Sequence, residues 1–163
     1  MDIKIGNIKY SSTLEAFIAY SPDPTIEKTK GTYLGTLGPF GFKVSCIVKN
    51  SKEGITRLEK GYGKSLNAEN IHTVLETYLG AKNDKEIALA KYYVKKLKEI
   101  EAFFERQTAF HLFGSSLLFV YDQGNSDAIS AKVRVIDFEH TFPADGKINE
   151  IFLNKMILTI SRI

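Results

Sequence analysis

At 163 residues, 44% hydrophobic and 25% charged, the chain is long enough for one hydrophobic core, crowded for two, and too apolar to stay unfolded. Its 22 basic and 19 acidic residues leave a formal charge of +3, which tolerates an anionic ligand but carries no nucleic-acid signature, and no aromatic-basic repeat supplies one. Cys46 is the only cysteine, which excludes an internal disulfide and favours a reducing, intracellular setting, and with three histidines the chain cannot build a zinc cage. No signal-peptide pattern opens the chain, and no apolar run approaches the roughly 20 residues of a membrane span.

The chain opens with MDIKIG, a strand-like alternation that sets Asp2 and Lys4 on one side and Ile3 and Ile5 on the other. An apolar stretch follows, and SPDP at 21–24 marks a turn. The glycine-rich GTYLGTLGPFG lacks the spacing of a P-loop or a dinucleotide fingerprint and reads as a connector. FKVSCIVKN is rich in β-branched residues and reads as a strand, with EKGYGK as a basic turn after it.

The period then changes. Ile71, Val74, Leu75, Tyr78 and Leu79 form a helical stripe ended by Gly80, so a helix is expected near 67–79. Asn83 with Glu86 resembles a capping box opening a longer helix over 84–106, with Ile87, Ala90, Val94, Leu97, Ile100 and Phe104 on its packed face. SSLLFVYD (115–122) and AKVRVIDFE (131–139) are candidate arms of a hairpin, and a stripe of Phe152, Leu153, Met156, Ile157 and Ile160 predicts a last helix over 148–161.

Asp137 falls inside an otherwise apolar arm, where an unpaired buried carboxylate is costly. It requires either a cation or neutralisation by Arg134 or a backbone amide. Ser116 in the partner arm could place a hydroxyl nearby, and such oxygen ligands suit Mg²⁺ bound to substrate phosphates.

Taken in order, MDIKIG, YSPDPTIEK, LGPFGFKVSCIV, EKGYGKSL, FGSSLLFVYD and VRVIDFEHT resemble the signature segments of the inositol polyphosphate kinases: D-x-K-x-G, Y-D-P-x-A-x-x-E-K, L-G-F-R-x-x-G-M, D-K-x-Y-G-R-x-L, S-S-L-L and I-D-F-x-x-T. The resemblance implies an α+β fold like that family's larger, C-terminal catalytic lobe, an antiparallel sheet packed with helices and spanning 1–163 as a single domain. It implies ATP- and Mg²⁺-dependent phosphoryl transfer to an inositol polyphosphate. In that scheme Asp2 orients or deprotonates the attacking hydroxyl and Lys4 steadies the transferred group and the substrate phosphates. Asp137, with Ser116, holds the metal that carries the nucleotide, and Lys28, Lys43, Lys60 and His140 contact substrate. An acid, a lysine and a metal carboxylate suffice because phosphoryl transfer needs mainly alignment and charge neutralisation.

The chain departs from the pattern in four places. The resemblance starts at the central signature, so the expectation is that the family's N-terminal nucleotide-binding lobe is absent from this chain. The stretch between Gly6 and YSPDP is longer than usual, Lys43 replaces an arginine and so loses bidentate phosphate recognition, and the approach to the last helix is shortened. These departures keep a rival expectation open: a noncatalytic module that binds inositol phosphates.

Overall fold

A computed structural model describes residues 1–5, 41–51, 53–79, 83–122 and 130–143. Strand β1 (Asp2–Ile5) is central, because the order across the five-stranded antiparallel sheet is β3 (Gly54–Leu58), β2 (Phe42–Ser51), β1, β5 (Ser116–Val120), β6 (Lys132–Ile136). The ladder extends to Met1, whose carbonyl accepts from the Phe119 N–H at 2.8 Å. A second, two-stranded sheet joins β4 (Phe110–Phe113) to β7 (His140–Pro143). The helices are α1 (Lys60–Ser65), α2 (Thr73–Leu79) and α3 (Asp84–Arg106). Among the described residues no helix is long and apolar enough to cross a membrane.

Alternation in β1 does what the sequence predicts. Ile3 and Ile5 are buried in the core, whereas Asp2 is half-buried and Lys4 exposed on the opposite face. Phe42, Val44, Leu117, Phe119 and Val133 join the same core from neighbouring strands, and Leu75, Tyr78, Tyr93 and Leu97 join it from α2 and α3. Each fully buried aliphatic side chain contributes about 1.5–3 kcal/mol of transfer free energy.

Tyrosines tie the helices to the sheet as well. The Tyr78 hydroxyl donates to the Phe119 carbonyl at 2.7 Å and the Tyr93 hydroxyl to the Val120 carbonyl at 3.0 Å. Burial pushes both phenols well above their ordinary range, so they remain protonated donors. Lys49 reaches the other way, donating through Nζ to the Thr77 carbonyl at 2.9 Å and placing its charge at the C-terminal end of α2.

The expected α3 has the bounds read from the sequence. Its N-cap Asn83 accepts from the Lys85 and Glu86 amides, both at 3.1 Å, while Glu86 Oε2 accepts from the Asn83 N–H at 3.3 Å. Asn83→Ala removes the half of this box that the Asn83 side chain makes, leaving the backbone N–H to Glu86, and is expected to cost about 0.5–2 kcal/mol. Urea denaturation checks it: the midpoint should fall at unchanged slope.

Several expectations need correction. The packed stripe of α3 holds at Ala90, Leu97 and Phe104, with Val94 and Ile100 half-buried against the core, but Leu89 and Tyr93 join it and Ile87 is exposed. The helix near 67–79 begins only at Thr73, after turns over 68–72. EKGYGK contributes a short helix rather than a turn, and β3, β4 and β7 were not anticipated. The arm over 131–139 breaks, with β6 ending at Ile136 and β7 starting at His140. The helix expected over 148–161 lies outside the described residues.

Candidate functional site

Because β1 is central, its polar face meets residues from both sides. On one side Lys4 pairs with Ser116 and Asp2 with Leu118; on the other, Lys4 pairs with Lys43 and Asp2 with Cys46. Cross-strand partners share a face, so Asp2, Lys4, Lys43 and Ser116 stand together on the side of the sheet opposite the core. The β1–β2 register slips beside Asp2, where Ile3 opposes Val44 and Asp2 opposes Cys46, a bulge of the kind that re-aims a side chain.

Asp137 arrives at the same place by a kink. Its φ of +64° is left-handed, a conformation costly for most side chains but tolerated by aspartate. Gly114, in the companion connector between β4 and β5, has φ +68°. Here a two-stranded ribbon leaves the five-stranded sheet and turns into the smaller one: Ser116 opposes Ile136 before the kink, and Phe113 opposes His140 beyond it. The buried Ser115 hydroxyl bridges the two connectors by donating to the Asp137 carbonyl at 3.0 Å.

The electrostatics couple the two acids. Burial raises the Asp2 carboxyl above its ordinary 3.8, the Ser116 side chain lowers it by hydrogen bonding, the Asp137 charge raises it, and Lys4 lowers it. Asp2 Oδ1 is buried and has no hydrogen-bond partner among the described residues. The expectation of a buried Asp137 is therefore corrected: Asp137 is exposed, and the acid that burial perturbs is Asp2. Arg134 forms no ion pair with Asp137 among the described residues; its Nη1 donates to the Val133 carbonyl at 3.0 Å.

This donor set has the chemistry of a hard-cation site. Two facing carboxylates, one with an unsatisfied buried oxygen, and a hydroxyl suit a divalent ion that takes its remaining ligands from phosphate and water. Among the described residues no group of three His, Cys, Asp or Glu forms a fuller cage. Lys4 is exposed and Lys43 half-buried, and neither forms an ion pair among the described residues. Two adjacent lysine charges repel, and an anion bound between them would relieve that cost.

The remaining candidates are less tightly gathered. Lys60 stands exposed at the first residue of α1 and is not among the charges that perturb Asp2; it shares with the site only β2, against which α1 packs. His140 is placed by its backbone as the first residue of β7, opposite Phe113. Lys28 lies outside the described residues. Sequence reasoning missed Ser115, although strict alternation through Ser115 and Ser116 sends the two hydroxyls to opposite faces.

The family model described as inositol polyphosphate kinase matches residues 1–155. An inositol polyphosphate multikinase from Oryza sativa subsp. indica is 30% identical over 99% of the chain, and the multikinase alpha of Arabidopsis thaliana is 25% identical over 100%. The chain spans 59% and 62% of the length of these relatives. Among solved structures, an inositol phosphate multikinase shares the fold with a TM-score of 0.75 at 24% identity, covering 99% of this chain and 78% of that one. The S. cerevisiae multikinase in complex with ADP and Mn²⁺ does so with a TM-score of 0.75 at 18% identity, covering 99% and 76%. On a family match that covers nearly its whole length, the chain belongs to the inositol polyphosphate kinases.

Proposed function

We propose that this chain carries the acceptor and metal sides of an ATP-dependent kinase acting on an inositol polyphosphate. The observation that carries the reading is the meeting of Asp2 and Asp137, from opposite ends of the described chain, across the Ser116 hydroxyl and beside Lys4 and Lys43. Simple anion binding needs no pair of facing acids, whereas phosphoryl transfer uses one to orient the nucleophile and one to hold the metal.

In this scheme Asp2 accepts the proton of the attacking hydroxyl, and Lys4 and Lys43 neutralise phosphate oxygens. Asp137 and Ser116 hold the divalent ion, whose chemistry when bound is to neutralise charge on the nucleotide phosphates. The ADP and Mn²⁺ of the yeast relative's complex support nucleotide and divalent metal use, with Mg²⁺ as the proposed ion here. Lys28, Lys60 and His140 are proposed as further substrate contacts.

The test is incubation with ATP, Mg²⁺ and inositol tris- to hexakisphosphates, repeated with Asp137→Ala. Turnover that disappears in the variant supports the scheme, and turnover untouched by it refutes the metal assignment. Tight binding of inositol phosphates with no turnover in the wild type would instead mark a binding module.

A further inference from the structure

Asp137 holds its left-handed backbone without glycine's freedom, at a cost that surrounding contacts must offset. Two hydroxyls act on this connector. Ser115, fully buried, donates through Oγ to the Asp137 carbonyl at 3.0 Å, and its own carbonyl accepts the Ile5 N–H at 3.0 Å. Thr141 donates through Oγ1 to the next carbonyl, that of Phe138, at 2.7 Å. One bond comes from the β4–β5 side of the ribbon and the other from β7 itself, so successive carbonyls of the kink are gripped from both directions. Ser115 is also fastened to the end of β1, the strand that carries Asp2, which links the placement of one acid to that of the other.

We propose that Ser115 and Thr141 are positioning residues whose hydroxyls fix the kink at Asp137 and thereby hold its carboxylate in register with Asp2 and Ser116. Neither side chain needs to touch substrate or metal. Their effect passes through the backbone of Asp137, and this inference rests on the reading of Asp137 as a metal-holding carboxylate.

The experiment compares wild type, Ser115→Ala, Thr141→Val, Thr141→Ser and Asp137→Ala by two measurements. The first is amide hydrogen exchange over 136–140 in metal-free protein. The second is Mn²⁺ binding in the presence of ADP, followed by electron paramagnetic resonance. Ser115→Ala and Thr141→Val should each speed exchange and weaken Mn²⁺ binding by roughly 3–10-fold, the scale of one net hydrogen bond. KM for the inositol phosphate should stay put, and Thr141→Ser should restore wild-type values.

Ser115 is fully buried, so if its variant fails to fold, the half-buried Thr141 pair decides alone. Wild-type exchange and Mn²⁺ affinity in Thr141→Val overturn the proposal while leaving the kinase scheme intact, provided that Asp137→Ala still loses the ion. If Asp137→Ala binds Mn²⁺ as wild type does, the metal assignment fails, and the positioning role with it.

Discussion

Asp2→Asn is expected to lower kcat by about 10²–10⁴, the usual contribution of a positioned acid or base, while making the folded protein more stable. The opposite signs follow from one geometry. Asp2 is partly buried, faces the charge of Asp137, and has an oxygen with no hydrogen-bond partner among the described residues. The amide is close in shape, carries no charge, and can donate toward Asp137. In chelator, where no cation offsets the repulsion, Tm should rise by roughly 2–4 °C, the shift that about 1 kcal/mol produces in a domain of this size.

The pH dependence fixes the interpretation. A carboxyl raised in the folded state binds its proton more tightly there than in the unfolded chain, so its ionised form penalises folding. The stability advantage of Asp2→Asn should be full above the raised value and shrink as pH falls toward the ordinary 3.8, below which the wild-type carboxyl is neutral in both states. Thermal melts across that range, with and without Mg²⁺, measure it. A variant that is less stable at every pH would mean that Asp2 is a structural carboxylate, and the assignment of its proton-accepting role would lose its physical basis.

Much of this site was legible because the signal was local. Alternation in DIKI sets which side of β1 is polar, and Asn83 with Glu86 marks the start of α3, so both elements follow from periods and caps that a short window contains. The family resemblance supplied instead the expectation that Asp2 and Asp137 serve one centre, while the pairing of β1 with β5 came only from the structure. The kink at Asp137 was not readable, because V-R-V-I is a run of strand formers that Phe138 resumes, with no glycine or proline to mark the residue at which the backbone leaves the strand. Aspartate's tolerance of positive φ permits the break, while the Ser115 bond that accompanies it joins residues far apart in the chain. Strand β3 was missed for another reason: GITRL is exposed nearly throughout, so as an edge strand it has no buried face to impose a pattern. The helix in KGYGKS contradicts the propensity of its two glycines and depends on packing against β2.

That last element makes the sharpest structural prediction, because its two glycines should behave oppositely. A Cβ on Gly63 would lie 1.9 Å from the Val44 carbonyl oxygen, backbone against backbone, with no flexible side chain to yield. Gly61, two residues earlier on the same helix, has nothing within 4 Å of the corresponding position. Gly63→Ala should therefore cost about 3 kcal/mol, the upper end of overpacking penalties, whereas Gly61→Ala should gain about 0.5–1 kcal/mol from helix propensity. Thermal melts of the two variants should diverge by roughly 7–16 °C. The loss also has a functional side. Val44 adjoins Lys43 on β2, so a helix pushed off the strand disturbs the strand that carries one of the lysines proposed to face phosphate. KM for the inositol phosphate should rise in Gly63→Ala at temperatures where the variant is still folded, and remain unchanged in Gly61→Ala. Equal melts for the two variants would show that α1 does not approach β2 as closely as described, and would remove the reason for glycine at position 63.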